Sequence, residues 1–246
     1  MSGHSKWATI KRQKGKTDAQ RGKIFTKIGR EIAVAVKNGG SDPAMNPRLR
    51  DAVNKAKTNN MPSDNIARSI KKAAGELGSI NYEAIIYEGY GPFGTAVIVE
   101  CLTDNKNRTA GEVRHIFDKA GGAMGTTGCV SYLFESRALI EVEKAVGVDE
   151  DEAMMAAVEC GADDFSVEDG YFEIVAAAGK LDAVKAGLTD AGYNVLNAET
   201  NKIPATWIAL DGEAAIKVQK MLDALDDNDD VQQVFHNAQL PEEEGE

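Results

Sequence analysis

The residues of this chain that are best suited to chemistry with a partner are the lysines and arginines of its first third. Residues 1–75 contain 17 Lys and Arg against 5 Asp and Glu, a net charge of +12. Residues 76–246 contain 11 Lys and Arg against 34 Asp and Glu, a net charge of −23. Ammonium and guanidinium groups at this density bind phosphate oxygens. The asymmetry predicts a polyanion-binding region joined to an acidic, solubilising remainder, although the whole chain carries −11.

Nucleic acid is the predicted partner of this basic region. Residues 1–16 have no hydrophobic period, so we expect an arm that orders on a polyanion. The single tryptophan of the arm, Trp7, either stacks on a base or packs against the rest of the protein. The candidate nucleic-acid-binding residues are Lys6, Trp7, Lys11, Arg12, Lys14, Lys16, Arg21, Lys23, Lys27, Arg30, Arg48, Arg50, Arg68 and Lys72.

Glycine motifs do not indicate a cofactor here. Gly89, Gly91 and Gly94 satisfy G-x-G-x-x-G, but the turn leads into a strand-like run instead of opening a helix, which predicts a hairpin connection. The glycine-rich residues 121–128 either form a backbone cradle for phosphate or cap a helix and form a turn. We therefore expect no cofactor.

Other groupings that could indicate an enzyme are also incomplete. His4, His115 and His236 are far apart, and no Ser/His/Asp or Cys/His grouping can be built around them. The acidic runs 149–152 and 226–230 lack the spacing of a calcium loop and are expected to be solvated helix ends. We predict no catalytic residue and no metal site, against the alternative of a nuclease or phosphotransferase that uses body carboxylates.

Composition sets the class of protein. The chain has 246 residues with 43% hydrophobic side chains, no apolar run long enough to span a bilayer and no apolar leader at its start. Its three cysteines have no C-x-x-C spacing. No heptad pattern indicates an obligate dimer. The expectation is a soluble, cytoplasmic monomer without a membrane partner, whose acidic part could bind a protein.

Three helices are predicted to position the basic residues. Helix one should begin with Thr17 as its N-cap and end at Gly39-Gly40, with an apolar face toward the body and Lys23, Lys27, Arg30 and Lys37 toward solvent.

Helix two should begin at Asn46-Pro47, and helix three should run from Ser63 to Gly75. Two helices joined by a short turn, with Asn65, Arg68, Ser69 and Lys72 on the outer face of the second, suit reading of a DNA major groove. The alternative is that these helices contact phosphates only.

The acidic remainder is predicted to contain alternating strands and helices. Strands are expected at 82–88, 95–102, 130–135, 138–143, 164–168, 171–177, 193–200, 203–210 and 231–236. Helices are expected at 109–120, 149–160, 180–191 and 211–225.

Residues 137–200 alone give the order β-α-β-β-α-β, which is typical of ferredoxin-like folds. The segments on either side have too few strands to form separate sheets, so an insertion is favoured over three domains in series.

The predicted fold class is therefore multidomain α and α+β: an N-terminal three-helix domain with a basic arm, then two α+β domains, one ferredoxin-like and inserted in the other. The predicted boundaries are 1–76 for the arm and helices, 77–136 plus 201–240 for the discontinuous domain, 137–200 for the inserted domain, and 241–246 for an acidic tail.

Several long runs of the sequence resemble the YebC/PmpR family, and the resemblance extends over nearly the whole chain. The runs are GHSKWA at 3–8, RGKIFTK at 21–27, NPRLR at 46–50, NMP at 60–62, YEGYGP at 87–92, LTDNKNRT at 102–109, EVRH at 112–115 and DDV at 229–231. Two positions depart from the usual pattern: Phe93, where glycine is common, and residues 12–16, where the arm usually carries another histidine.

The resemblance implies a cytoplasmic bacterial protein with three domains, one of them ferredoxin-like and inserted. It implies a non-enzymatic, DNA-binding regulator of transcription. Relatives that include the mitochondrial translational activator of cytochrome oxidase imply the alternative, a translation factor that binds ribosomal RNA and relieves stalling at proline-rich stretches. Lys6, Trp7 and residues 21–27 match the basic surface of the family, and the resemblance transfers no catalytic residue.

Overall fold

The N-terminal region contains three helices. The computed structural model describes residues 18–75, 81–145, 147–168 and 170–241. Helix α1 spans Asp18–Gly39, α2 spans Pro47–Thr58 and α3 spans Ser63–Gly75. The side chain of Asn46 caps α2 by accepting a hydrogen bond from the backbone N–H of Leu49, as predicted. The predicted N-cap of α1, Thr17, lies outside the described residues.

The apolar faces of the three helices form one small core. Ile28 and Ile32 of α1 are fully buried against Leu49 and Ala56 of α2 and Ile66 of α3. This packing buries the predicted apolar stripe of each helix, because residues three and four apart share a helix face.

The remainder of the described chain consists of strands and helices in the following order: β1 (Glu83–Tyr90), β2 (Ala96–Thr103), α4 (Lys106–Ala120), β3 (Ala123–Met124), β4 (Phe134–Glu143), α5 (Glu150–Glu159), β5 (Asp164–Val167), β6 (Tyr171–Ala177), α6 (Leu181–Asp190), β7 (Val195–Pro204), β8 (Ile208–Ala209), α7 (Gly212–Asp226), β9 (Val231–His236) and β10 (Ala238–Gln239).

The first sheet has the strand order β3-β1-β2-β9. Helices α4 and α7 cover one face, where Val97, Val99, Phe117 and Leu225 are fully buried. Strands β1 and β2 form an antiparallel hairpin, so the turn with the G-x-G-x-x-G spacing is the predicted hairpin connection. Strand β9 follows the middle segment of the chain yet pairs with β2, which precedes it.

The second sheet has the order β5-β6-β4-β7, and its three strand pairs are antiparallel. Helices α5 and α6 pack on it through a core that includes Ile140, Phe172 and Ile174. This order and the sequence β-α-β-β-α-β are those of a ferredoxin-like fold. Together with the pairing of β9 and β2, they confirm the predicted fold class, including the insertion.

The described chain forms two compact units. One is the ferredoxin-like unit, residues 133–206, and the other contains α1–α3 together with the first sheet. In the described residues, no helix is long and apolar enough to cross a bilayer.

Two of the predicted breaks between strands are absent, because a single strand crosses each of them. Of the predicted strand 203–210, Ile208–Ala209 forms the separate strand β8. Strand β4 is continuous where breaks were expected near residue 136, and residues 131–133 form a short 3-10 turn instead of a strand. Strand β7 continues to Pro204, past the expected break near residue 201. The cause is tertiary: β4 and β7 pair along their length, from Phe134 opposite Pro204 to Val142 opposite Val195. The predicted boundaries 137 and 200 fall inside these strands.

Candidate nucleic-acid interface

Lys37 is exposed on α1 as predicted. The other three basic residues predicted to face solvent, Lys23, Lys27 and Arg30, instead contact the end of α7 and the loop before β9. The Lys23 ammonium lies 2.8 Å from the Asp227 carboxylate. The Lys27 ammonium lies 2.8 Å from both the side-chain and the backbone oxygen of Asp226. Helix α1 is therefore enclosed on two sides, by α2 and α3 on its apolar face and by an acidic loop on its basic face.

Arg30 makes the most enclosed of these contacts. Its guanidinium donates to the carboxylate of Asp230 and to the backbone oxygen of Leu102, the latter at 3.0 Å. It also lies 5.5 Å from the centre of the Tyr82 ring. With these partners on several sides, Arg30 stabilises the fold more than it offers charge to a ligand.

Asp230 is the centre of a buried polar cluster. Only 3% of the residue is exposed, and its carboxylate also accepts hydrogen bonds from Arg108 at 2.8 Å, Thr109 at 2.6 Å and Thr103 at 3.1 Å. Burial alone would raise the pKa of Asp230, but the hydrogen bonds from Thr109, Arg108 and Arg30 outweigh it and lower the pKa to about 2.

The prediction that residues 226–230 are a solvated helix end was therefore wrong for part of that run. Asp226 and Asp227 are paired with lysines of α1, and Asp230 is buried. Sequence reasoning missed this because the partners of Asp230 come from residues about 120 to 200 positions away, and local charge density says nothing about such pairing.

Most of the candidate binding residues that do face solvent lie on α2 and α3. Arg68, Lys71 and Lys72 are exposed on α3, on the side opposite Ile66 and Ile70. Asn65 and Ser69, predicted on this outer face, are half-buried instead. Lys71 was missed, although its spacing of three residues from Arg68 was a signal that could have found it.

Helix α2 adds exposed arginines beside its buried stripe. Arg48 and Arg50 lie on either side of Leu49. Arg21 is exposed near the start of α1. The predicted arm residues lie outside the described residues; they are Lys6, Trp7, Lys11, Arg12, Lys14 and Lys16. The described part of the candidate interface is therefore the outer face of α3 and the flanks of α2.

The glycine-rich loop after α4 is folded around a carboxylate of the protein itself. Gly121 is left-handed (φ 82°) and caps α4. Further along the loop, the backbone N–H groups of Gly128, Val130 and Ser131 donate to the buried Glu88 carboxylate at 2.9–3.0 Å. Burial acts to raise the pKa of Glu88, and these hydrogen bonds more than offset it and lower the pKa. Of the two readings, the helix cap and turn is confirmed, and the amides that could have held phosphate hold Glu88.

The two histidines in the described part of the chain lie on different elements, His115 on α4 and His236 on β9. His236 is buried in β9, and burial lowers its pKa to about 4, which keeps the imidazole neutral near pH 7. His115 is exposed on α4, and His4 lies outside the described residues. Within the described ranges, no group of three or more His, Cys, Asp or Glu side chains could hold a metal ion.

A three-helix region with an outward basic face on α3 is joined to a split α+β fold with a ferredoxin-like insertion. These features define a class of multidomain α and α+β proteins. Residues 5–76 match the family described as TACO1/YebC protein N-terminal domain, and residues 82–238 match TACO1/YebC second and third domain. The chain belongs to the TACO1/YebC family, as the resemblance in its sequence predicted.

Individual relatives match over nearly their full length. The "Probable transcriptional regulatory protein ORF2U" of Hathewaya histolytica is 56% identical over 242 residues, which cover 98% of each chain. A protein of Thermoanaerobacter pseudethanolicus, also named a probable transcriptional regulatory protein, is 52% identical over 246 residues and all of both chains. The crystal structure of the conserved hypothetical protein Aq1575 from Aquifex aeolicus is 48% identical, has a TM-score of 0.84 and covers 98% of this chain and 99% of its own.

Proposed function

We propose that this protein is a non-enzymatic regulator that binds duplex DNA through its helical region and controls transcription. The observation that carries the proposal is the outward face of α3, where Arg68, Lys71 and Lys72 are exposed together. Side chains of this kind on the second helix of a helix-turn-helix pair contact phosphates and base edges. The names of the relatives from Hathewaya histolytica and Thermoanaerobacter pseudethanolicus support control of transcription.

The internal pairing of α1 changes which residues the test should use. Replacing Lys27 or Arg30 with glutamate would place like charges beside Asp226 and Asp230 and destabilise the fold. The exposed pair Arg68 and Lys72 avoids this, because both side chains lie outside the helical core.

The experiment measures the affinity of R68E/K72E for duplex DNA by fluorescence anisotropy over a range of salt concentrations. For wild type we expect log affinity to fall with log salt with a slope of roughly −5, as for about six phosphate contacts. The variant should bind more weakly, and its slope should be shallower by about 2.

The matched control is K185E/K220E, which makes the same change in net charge on the acidic part of the chain. Its affinity and slope should remain close to wild type. Equal effects of both variants, or a flat salt response of wild type, would contradict binding through α3.

A second candidate function is binding of ribosomal RNA by a translation factor, and the one-sided charge of the chain favours it. A factor with a single docking pose needs one basic face, whereas a protein that scans duplex DNA gains from a basic surface on all sides. The charges of +12 for residues 1–75 and −23 for the rest fit a factor with a single docking pose.

Sucrose-gradient sedimentation of a gentle cell lysate separates the two functions. The chromosomal DNA is digested beforehand, and the ribosomes are left intact. Co-migration with ribosomal particles that R68E/K72E abolishes would favour the translation factor. A wild-type protein that stays at the top of the gradient and binds duplex DNA with sequence preference would favour the transcriptional regulator.

A further inference from the structure

Three aromatic side chains on two loops of the first sheet are open to solvent. Tyr90 ends β1, Phe93 lies in the following turn, and Tyr132 lies in the short 3-10 turn before β4. Phe93 is 55% exposed and Tyr132 is 73% exposed, and the hydroxyls of Tyr90 and Tyr132 lie 3.4 Å apart. We call these three residues the aromatic strip.

The backbone at Phe93 is unusual for an aromatic residue. Its φ of 59° and ψ of 23° lie in the left-handed region, which glycine adopts at far lower cost. More than half of Phe93 is exposed. The Lys217 ammonium lies 6.0 Å from the centre of its ring. The fold therefore bears backbone strain at this position while more than half of the side chain stays exposed, and such strain is common at functional sites.

The loops that carry the aromatic strip are free of charge. Residues 89–95 and 121–132 contain no Asp, Glu, Lys or Arg, within a part of the chain that carries −23 overall. The nearby carboxylate of Glu88 is buried, and backbone N–H groups stabilise its negative charge away from solvent. With Lys217 at one end, this surface is open to a polyanion that the acidic surroundings would otherwise repel.

We propose that the aromatic strip binds unpaired bases of single-stranded RNA by stacking, with Lys217 contacting a neighbouring phosphate. Exposed aromatic rings beside a cation are the means by which proteins hold single strands, because every base has a flat face to stack. The bases of duplex DNA are already stacked on each other, so a single strand is favoured over a duplex as the ligand. RNA presents unpaired bases of this kind in its loops and bulges. The inference rests on the proposed function only in that nucleic acid remains the partner. The aromatic strip is a second binding surface, separate from α2 and α3.

The test uses full-length protein and a fluorescein-labelled 12-nucleotide oligouridine, with affinity measured by fluorescence anisotropy. F93G and Y132S should each weaken binding roughly tenfold, since each removes one stacking ring. F93G should also have a melting temperature equal to or about 2 °C above that of wild type, because glycine relieves the left-handed strain. A loss of affinity without a loss of stability separates a binding role from a structural one.

The control is M45S, which removes an apolar side chain that is 80% exposed on the helical region, away from the aromatic strip. It should bind oligouridine like wild type. Unchanged affinity of F93G and Y132S, or a fall in their affinity matched by M45S, would overturn the proposal.

Other outcomes assign the surface to a different partner. Binding of a proline-rich peptide in place of oligouridine, lost in F93G, would overturn RNA as the partner, as would binding of single-stranded DNA alone. R68E/K72E on duplex DNA reports the proposed function separately, so either surface can fail while the other stands.

Discussion

At the scale of single residues, Asp230 determines how the basic face of α1 is used. Its carboxylate joins Arg30 of α1 to Arg108 and Thr109 of α4 and to Thr103 of β2. Two other acids of the same loop, Asp226 and Asp227, pair with lysines nearer the surface. Because buried hydrogen-bonded charges contribute more than exposed pairs, we expect the three acids of one loop to differ sharply in effect.

Replacement of Asp230 by asparagine is expected to destabilise the protein by about 2–3 kcal/mol, since Arg30 and Arg108 would lose a charged acceptor. Urea unfolding at pH 7 measures the change. The matched control is Asp227→Asn, which removes a carboxylate that is 66% exposed and should cost under about 1 kcal/mol. Equal effects of the two variants would contradict the role assigned to Asp230.

The same carboxylate predicts a dependence of stability on pH. The pKa of Asp230 is about 2 in the folded protein and 3.8 ordinarily, so the folded state favours the ionised form. Its contribution of about 2 kcal/mol is complete above pH 5 and is lost as the pH falls through 3.8 toward 2. The unfolding free energies of wild type and D230N should therefore converge between pH 5 and pH 2. A constant difference over that range would contradict this assignment.

At the scale of elements, Glu88 organises the loop that carries part of the aromatic strip. Its carboxylate accepts N–H groups of Gly128, Val130 and Ser131 from a segment with little regular structure. A buried carboxylate with three amide donors replaces the backbone partners that the loop lacks.

The variant Glu88→Gln should loosen this loop, because the amide NH2 group would meet N–H donors where a carboxylate oxygen now accepts. Hydrogen exchange at Gly128, Val130 and Ser131 should become at least tenfold faster, with a loss of about 1–2 kcal/mol of stability. Glu83→Gln, at an exposed carboxylate paired with Lys106, is the control and should leave this exchange unchanged.

Elements whose signals are local were predictable from the sequence, and contacts between distant elements were not. Caps and periodicity predicted α2, α3 and the hairpin β1–β2, since the signals lie within each segment. The basic face of α1 was assigned to solvent because Lys27 gives no local sign of its partner, Asp226. The exposed side of α3 was predicted from its period, except for Lys71. No residue type near Glu88 in the sequence indicated that its carboxylate accepts hydrogen bonds from the loop near Gly128, because the donors are backbone amides.

At the scale of the whole molecule, the inserted segment carries about half of the acidic excess of residues 76–246. Residues 137–201 carry 15 acidic and 4 basic side chains, a net charge of −11, so the remaining residues sum to zero. The residues that flank the segment are neighbours in space, since Ser136 lies opposite Lys202 in the pairing of β4 and β7. The insertion thus supplies about half of the acidic excess, while the first sheet, β3-β1-β2-β9, includes none of its strands.

Replacing residues 137–201 with Asn-Gly, a two-residue hairpin turn between Ser136 and Lys202, should leave the first sheet and α1–α3 folded. The shortened chain should bind duplex DNA more tightly, because 15 acidic side chains that repel phosphates are gone. Circular dichroism with thermal unfolding tests the fold, and anisotropy at several salt concentrations tests binding.

The control is a second shortened chain in which the same turn joins Ser136 to Ile203. This change shifts the pairing of the two strands by one residue, so the control should fold less stably. Failure of the in-register variant to fold would show that the inserted segment is not an independent addition, whereas folding with unchanged affinity would show that its charge does not limit access to DNA.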